Sequence, residues 1–223
     1  MRLNKYLAHY SGLSRRKADE AVEDQRVSIN GQLATVGQSV DDGDPVELDG
    51  MPIKPTENYT YLLFNKPFGL VTSRERQGRA DTIYGVLPEK YHSLKPVGRL
   101  DKETTGLLLL TDDGDYANQL SHPSNHKQKI YQIELNKLLR KQDFDLIQGN
   151  GVELHDGFSK MKVRAMKPGT PLYEVIIAEG RNRQIRRTFE HLDYEIVSLH
   201  RTNFGPYNLG DLHPSQTKQT IKL

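Results

Sequence analysis

The sequence contains no cysteine, and this absence removes disulfide bonds, thiolate catalysis and cysteine-ligated zinc from consideration. Long apolar runs are also missing. The longest purely aliphatic run, residues 107–110, is far too short to span a bilayer. The N-terminal residues hold no apolar stretch of signal-peptide length. These absences predict a cytoplasmic protein that does not associate with membranes.

What the sequence does contain is typical of a soluble, rather polar globular protein. Hydrophobic residues make up 35% of the chain and charged residues 27%, a balance that argues against disorder. The length of 223 residues exceeds a typical single domain of about 100 to 200 residues. We therefore expect one large domain with a small appendage.

The net charge of +2 is too small to indicate nucleic-acid binding by itself. The distribution of charge is more informative, because basic residues cluster at three places. The clusters comprise Arg15, Arg16 and Lys17; Lys127, Lys129, Lys137, Arg140 and Lys141; and the four arginines of residues 181–187. Each cluster alone is more often a solvated face than a binding site, so the charge pattern leaves both interpretations open.

The N-terminal residues form a pattern of their own. Apolar side chains at positions 3, 6, 7 and 10 have the spacing that lines one helical face. Ser14 is placed to cap a second helix, and Asn30–Gly31 favours a type I′ turn between two short strands. Residues 51–58 contain two prolines among polar residues, which is typical of a linker. We therefore predict a small domain and its linker at residues 1–57, followed by a second domain at 58–223.

The second domain alternates apolar strand patterns with short helical ones. Strands are predicted near 61–64, 69–73, 95–100, 107–111, 129–135, 160–166, 172–178 and 196–200, and helices near 82–87, 115–121, 141–148 and 182–192. Two pairs of strands follow each other without an intervening helix, which favours antiparallel pairing. The expected fold class is α+β with a mixed, largely antiparallel sheet.

The stretch from residue 95 to 114, KPVGRLDKETTGLLLLTDDG, is the most informative part of the chain. An apolar strand pattern ends in Arg99 and Asp101, and a polar loop separates it from the aliphatic run. If the strand extends this far, the two side chains share one face. A carboxylate in this place caps a loop or takes part in catalysis, and composition alone favours the capping role.

The same stretch resembles the central motif of the RsuA-type pseudouridine synthases, in which the aspartate of G-R-L-D is the catalytic nucleophile. Further motifs of that family occur in the same order. Residues 64–69 (FNKPFG) resemble its opening motif, 129–131 (KIY) its K-x-Y motif, and 179–187 (EGRNRQIRR) its closing basic motif. Residues 151–157 resemble a segment of the RsuA subgroup. Residues 1–50 resemble the αL RNA-binding motif, so the resemblance covers nearly the whole chain.

This resemblance implies roles for individual residues. Asp101 would be the catalytic carboxylate, Tyr131 would stack on the target base after that base leaves the RNA helix, and Arg186 would pair with the carboxylate. Tyr131 could equally be an ordinary strand tyrosine, and Arg186 a phosphate-binding or solvent-facing arginine. Arg99 would fill the place that the flipped base leaves, or else contact a phosphate. The residues expected to bind substrate are Arg99, Lys66, Lys129, Arg183, Arg187, Arg15, Arg16 and Lys17.

Two departures from the family pattern concern turns. Gln25 stands where the αL motif usually has glycine, and Asp193 where glycine is common after the closing helix. Thr188 also replaces a usual methionine. None of the three is a proposed catalytic residue.

The expected activity is isomerisation of one uridine of ribosomal RNA to pseudouridine, with no cofactor and no metal. His122 and His126 are four apart, but Pro123 and the lack of a third ligand argue against a metal site. Related large-subunit enzymes often carry a basic C-terminal extension, and the chain ends at Leu223 without one. The resemblance therefore favours uridine 516 of 16S rRNA, with a monomer acting on that RNA or on a partly assembled small subunit. A 23S rRNA target and a non-catalytic rRNA-binding protein are the alternatives.

Overall fold

The computed structural model of the protein describes residues 1–55 and 58–223. The chain divides into two compact units. Unit 1 comprises Met1–Tyr59 and Asp112–Gly114, and unit 2 comprises Thr60–Thr111 and Asp115–Leu223. The predicted boundary between residues 57 and 58 involves residues outside the described part, and it stays a prediction. Among the described helices, none combines the length and the apolar character that crossing a membrane would require.

Unit 1 begins with two short helices, as the apolar spacing predicts. Helix α1 covers Leu3–Tyr10 and α2 covers Arg15–Glu23. Their buried faces carry small and aliphatic side chains and one tyrosine, Tyr6, which pack together in one core. The predicted cap of α2 is confirmed, because the Ser14 side chain accepts a hydrogen bond of 3.2 Å from the Lys17 backbone N–H. Such a cap satisfies one of the free donors at the helix N-terminus.

A four-stranded sheet in the order β2-β1-β3-β4 completes unit 1. Its strands are β1 (Val27–Ile29), β2 (Gln32–Leu33), β3 (Val46–Leu48) and β4 (Met51–Pro52). Asn30 and Gly31 have φ of 52° and 78°, as a type I′ turn requires. The linker prediction is wrong for β4, which pairs with β3. Gln25 has φ of 57°, so this turn has the left-handed geometry that glycine usually supplies.

Unit 2 is built on one large mixed sheet, with a separate two-stranded hairpin. The strands are β5 (Tyr61–Lys66), β6 (Lys95–Pro96), β7 (Thr105–Thr111), β8 (Lys129–Leu135), β9 (Val152–Leu154), β10 (Gly157–Ser159), β11 (Lys162–Ala165), β12 (Leu172–Ile177), β13 (Ile196–Phe204), β14 (Tyr207–Asn208) and β15 (Thr217–Thr220). The helices are α3 (Gly114–Ser121), of which residues from Asp115 onward belong to unit 2, α4 (Lys141–Gln148) and α5 (Gln184–His191). The 3-10 turns cover Ile83–Gly85, Glu89–Tyr91 and Pro123–Asn125.

The main path through the large sheet is β11-β12-β8-β13-β7-β5-β15. The pairings along it are antiparallel with one exception, the parallel contact between β7 and β13. The core beneath the sheet is aliphatic and aromatic, and the burial of such side chains is the main stabilising contribution to a fold of this size. The predicted α+β class with a largely antiparallel sheet is confirmed.

Three predicted elements are shorter than expected or missing. The strand predicted at 95–100 ends after Pro96, because Gly98 with φ of 71° turns the chain away from the sheet. Residues 69–73 form no strand and contribute one isolated bridge, Val71 to Thr82. The helix predicted at 82–87 is a single 3-10 turn. The loop that carries Arg99 and Asp101 is therefore not part of a strand, so the face-sharing argument for these two residues does not apply.

At Gly106 the backbones of β7 and β13 are in close contact. Gly106 lies opposite Arg201 in the parallel register and has φ of 104°. A Cβ atom at this position would overlap the backbone oxygen of Arg201 and lie 2.7 Å from its nitrogen. Glycine is therefore required here for two reasons, the backbone conformation and the space.

We expect Gly106→Ala to lower the free energy of unfolding by about 3 kcal/mol, since overpacking against a backbone adds to a strained φ. Gly210→Ala is the matched control. Gly210 also has a positive φ, of 56°, but nothing lies within 4 Å of its virtual Cβ, so we expect a loss of about 1 kcal/mol. Urea unfolding measures both. Equal losses for the two variants would show that the strand contact imposes no steric requirement.

Candidate active site

A cavity of about 350 Å³ opens in unit 2. Its walls come from the loop before β7, from β8 and β13, and from the residues that lead into α5. Several residues predicted from sequence line it together, namely Asp101, Tyr131, Arg186, Arg99, Lys129 and Arg183. They come from segments far apart in the chain, and the sheet topology brings them together.

Asp101 lies on the loop between β6 and β7, and its side chain is one-third exposed. Lys66, which is fully buried, contacts this loop from the protein interior. The Lys66 ammonium donates hydrogen bonds to the backbone oxygens of Pro67 (3.1 Å), Lys102 (3.3 Å) and Thr104 (2.8 Å). Burial lowers the pKa of Lys66 to about 8, although the nearby carboxylates of Asp101 and Glu103 oppose this effect.

This placement corrects the expectation for Lys66. Its ammonium is fully buried and has three backbone acceptors, so in this structure it presents no surface to RNA, and a role in binding substrate is not supported. Lys66 fixes the course of the loop that presents Asp101. The sequence could not show this, because a lysine beside a strand end is usually exposed.

Two arginines near the start of α5 contact the Asp101 loop. Arg183 Nη1 lies 3.0 Å from the Glu103 carboxylate and 3.8 Å from that of Asp101. Arg186 donates through Nη2 to the Glu103 backbone oxygen at 3.0 Å. Within the described residues, the cation within 4.0 Å of Asp101 is thus Arg183, and the ion pair predicted for Arg186 is not formed. Burial, and then the charge of Arg183, lower the pKa of Arg186.

Tyr131 and its neighbours form the cavity floor. Tyr131 is buried in β8 and lies opposite Arg201 of β13. Lys129 is on the same face of β8, and its ammonium approaches the backbone oxygens of Lys127 (3.3 Å) and Glu179 (3.4 Å). Burial is the main reason why the pKa of Lys129 is lowered, and the charge of Arg201 adds to it. The buried residues of β8, Tyr131, Ile133 and Leu135, alternate along the strand and share this face.

The hairpin β9–β10 braces the basic segment that leads into α5. At its tip, the Asp156 carboxylate accepts hydrogen bonds from Arg187 (2.7 and 3.0 Å) and from Arg181 (2.8 Å). The bond from Arg187 is the largest reason why the pKa of Asp156 falls to about 2. Arg181 also donates to the Gly157 and Phe158 oxygens. The sequence segment 151–157 thus acts as a clamp on the arginine cluster.

Arg187 is therefore placed differently from the expectation. It lies outside the cavity lining, and its guanidinium is engaged by Asp156 and by the Asn182 oxygen at 2.8 Å. A role in substrate binding is not supported for it.

Asp193, after α5, has φ of 63°, the conformation that glycine commonly supplies at that turn.

The cavity is rich in positive charge and in unsatisfied polar groups. Six cations line it, Arg99, Lys129, Arg181, Arg183, Arg186 and Arg201, against the two carboxylates Asp101 and Glu179. Of the five buried side-chain atoms without a hydrogen-bond partner in the described part of the chain, four belong to lining residues: Thr104, Arg181, Arg186 and Arg201. Unpaired buried donors are rare, so the lining is suited to a polar, anionic ligand.

Arg201 is the functional candidate that sequence reasoning missed. An arginine within a strand pattern predicts an exposed side chain, and only the position of β13 between β7 and β8 buries it. Arg15, Arg16 and Lys17 are, by contrast, exposed in the first turn of α2, as expected.

Among the described residues, no group of three His, Asp or Glu side chains is arranged to hold a metal ion.

Comparison with known proteins identifies the family. Residues 60–191 match the family described as RNA pseudouridylate synthase, and residues 1–46 match the S4 domain. The chain is 34% identical to "Ribosomal large subunit pseudouridine synthase B" of Bacillus subtilis, over 98% of this chain and 91% of the relative. It is 35% identical to "Dual-specificity RNA pseudouridine synthase RluF" of Escherichia coli K12, over 95% of this chain and 72% of the relative.

A solved structure gives the same result. It is described as "Crystal structure of pseudouridylate synthase" and matches with a TM-score of 0.69 and 28% identity, over 99% of this chain and 96% of the other. The N-terminal unit predicted from the αL motif coincides with the S4 match, and the cavity is formed largely by the residues of the longer match. The protein therefore belongs to the RNA pseudouridylate synthase family and carries an S4 domain ahead of its catalytic domain.

Proposed function

We propose that this protein converts a uridine of 23S ribosomal RNA to pseudouridine in the cavity around Asp101. The observation that carries the proposal is the position of this carboxylate at the wall of a cation-rich cavity whose floor is Tyr131. A base that leaves the RNA helix needs such an enclosed pocket with an aromatic surface. The excess of cations attracts the RNA backbone to the same opening.

The chemistry of the reaction fits these residues. The bond between C1′ of the ribose and N1 of uracil breaks, and its electron pair leaves with the uracil. Asp101 faces the electron-poor C1′, either as a nucleophile or as a stabilising charge. The uracil rotates and C5 bonds to C1′; C5 then loses its proton and N1 gains one. The product is an isomer of the substrate, so electrons and atoms balance without an oxidant or a cofactor.

The large-subunit target rests on the comparisons. The Bacillus subtilis relative is named for the large subunit, and the match covers 91% of its length. The contrast in C-terminal extensions expected from the sequence therefore does not separate the two classes of target. The segment 151–157 braces Arg181 and Arg187, and this structural role carries no information about the target. Uridine 516 of 16S rRNA, which the sequence resemblance favours, is the second candidate.

The S4 domain supports an RNA partner. Arg15, Arg16 and Lys17 are exposed at the N-terminal end of α2, where cations interact unfavourably with the helix dipole. Helix stability therefore does not explain them, and we propose that they contact RNA phosphates. We also propose that the protein acts as a monomer in the cytoplasm.

The proposal is tested with 23S and 16S transcripts that carry tritium at C5 of uridine, because tritium is released when C5, once bonded to C1′, loses its hydrogen. We expect the wild-type protein to release tritium from the 23S transcript and not from the 16S transcript. Asp101→Asn should lower the rate by several orders of magnitude, each factor of ten being about 1.4 kcal/mol of barrier. The control is Asp145→Asn, which removes an exposed carboxylate of α4 paired with Lys141.

Two results would contradict this account. Release from 16S rRNA alone would assign the small subunit as the target. A rate for Asp101→Asn within about tenfold of wild type would remove the catalytic role of this carboxylate, whichever RNA is used.

The two arginines near Asp101 can be separated by comparing rates and affinities. We expect Arg186→Ala to slow single-turnover conversion by about 100-fold with little change in RNA affinity, because this half-buried group lines the cavity. Arg183→Ala should change the rate by less than about tenfold, since exposed ion pairs contribute little. A larger rate loss for Arg183→Ala would show that Arg183 is the cation that pairs with Asp101 during the reaction. Loss of affinity alone in Arg186→Ala would make that residue a phosphate contact.

A further inference from the structure

A buried arginine on the cavity floor has no role in the reaction described so far. Arg201 lies within β13, is 2% exposed and lines the cavity. Its Nε donates a hydrogen bond of 2.8 Å to the Leu107 backbone oxygen. Across the described residues, its Nη2 has no hydrogen-bond partner. Buried guanidinium groups normally use such donors, so the free Nη2 marks a place for an acceptor.

The charge of Arg201 is not neutralised by a contacting carboxylate. None of the ion pairs within 4.0 Å in the described part of the chain involves it. Its Cζ lies 4.9 Å from the ring centroid of Phe204, and Lys129 Nζ lies 5.7 Å from the same centroid. An unpaired buried cation is unfavourable for folding. Its presence beside a second cation favours a ligand on which negative charge is present or develops in the cavity.

The position of Arg201 identifies the part of the ligand that it meets. Arg201 and Tyr131 are directly opposite each other on antiparallel strands, and such pairs project to the same face of the sheet. If the target base stacks on Tyr131, its edge lies beside the guanidinium. The edge of uracil carries two carbonyl oxygens, O2 and O4, which accept hydrogen bonds.

We propose that Arg201 donates a hydrogen bond from Nη2 to one carbonyl oxygen of the target uracil and stabilises the negative charge of the departing base. This inference rests on the proposed reaction. When the bond between C1′ and N1 breaks, its electron pair passes to N1 and is delocalised onto O2 and O4. Arg201 transfers no proton; it places a fixed positive charge next to the oxygens where negative charge develops.

The group of RNA that carries a permanent negative charge is the phosphate, and burial argues against it as the partner of Arg201. A side chain that is 2% exposed is reached only by a group that enters the cavity, and the flipped base is the group that does so. The exposed arginines of the lining, Arg99 and Arg183, are placed better for the backbone.

The test measures single-turnover conversion of a synthetic RNA hairpin that contains the mapped target uridine with tritium at C5. We expect Arg201→Gln to be slower than wild type by about 100-fold or more, with an RNA dissociation constant within about threefold. The matched control is Arg164→Gln, which alters an exposed arginine of β11 that is paired with Glu174 and should keep the wild-type rate. A loss of affinity with a shallower salt dependence would instead show a phosphate contact and overturn the proposal.

A second pair of measurements makes the result independent of one variant's folding. Hairpins with 2-thiouridine or 4-thiouridine at the target replace one carbonyl oxygen by sulfur, a weaker acceptor. Wild type should be slowed about tenfold or more by one of the two replacements. Arg201→Met, which removes the buried charge and so need not destabilise the fold, should lose this sensitivity.

The possible failures are distinguishable. If wild type converts none of the RNAs tested, the proposed function fails. If wild type converts the uridine hairpin but Arg201→Gln does so within threefold of its rate, this inference alone fails. Equal rates of wild type on all three hairpins, or thio sensitivity that persists in Arg201→Met, would also overturn the role of Arg201.

Discussion

The close parallel contact between β7 and β13 is the constraint on which the site depends. Gly106 allows the backbone of Arg201 to approach more closely than any side chain would permit. The loop with Asp101 runs directly into β7, while β13 pairs on its other side with β8 and so with Tyr131. One glycine therefore lets the strand that follows the carboxylate loop pack directly against the strand that pairs with Tyr131.

Buried cations serve two different purposes around this contact. The Lys66 ammonium donates to two backbone oxygens of the Asp101 loop, those of Lys102 and Thr104, and to that of Pro67, so its desolvation is compensated within the protein. The desolvation of the Arg201 guanidinium is compensated only in part, by the Leu107 oxygen and the Phe204 ring. Partly satisfied buried groups lower stability. Their concentration in the cavity lining indicates that this part of the fold is arranged for a ligand and not for maximum stability.

Much of the fold could be predicted from the sequence because its signals are local. The helices of unit 1, the cap at Ser14 and the strands β8 and β12 follow from apolar spacing and turn residues. The strand β15 and the hairpin β9–β10 were not predicted from the sequence. The residues of β15, TKQT, are all polar, and the hairpin is tied to the rest of unit 2 by ion pairs at Asp156. The burial of Lys66 and Arg201 depends on contacts between distant segments, which no local pattern contains.

The central claim is that this cavity makes one pseudouridine of large-subunit ribosomal RNA through Asp101. Its most direct test is to map pseudouridine in the 23S and 16S rRNA of cells that lack the gene, and of the same cells supplied with wild-type or Asp101→Asn protein. The account predicts that one pseudouridine of 23S rRNA disappears in the deletion, returns with the wild-type protein and does not return with the variant. An unchanged set of pseudouridines in the deletion strain would contradict it.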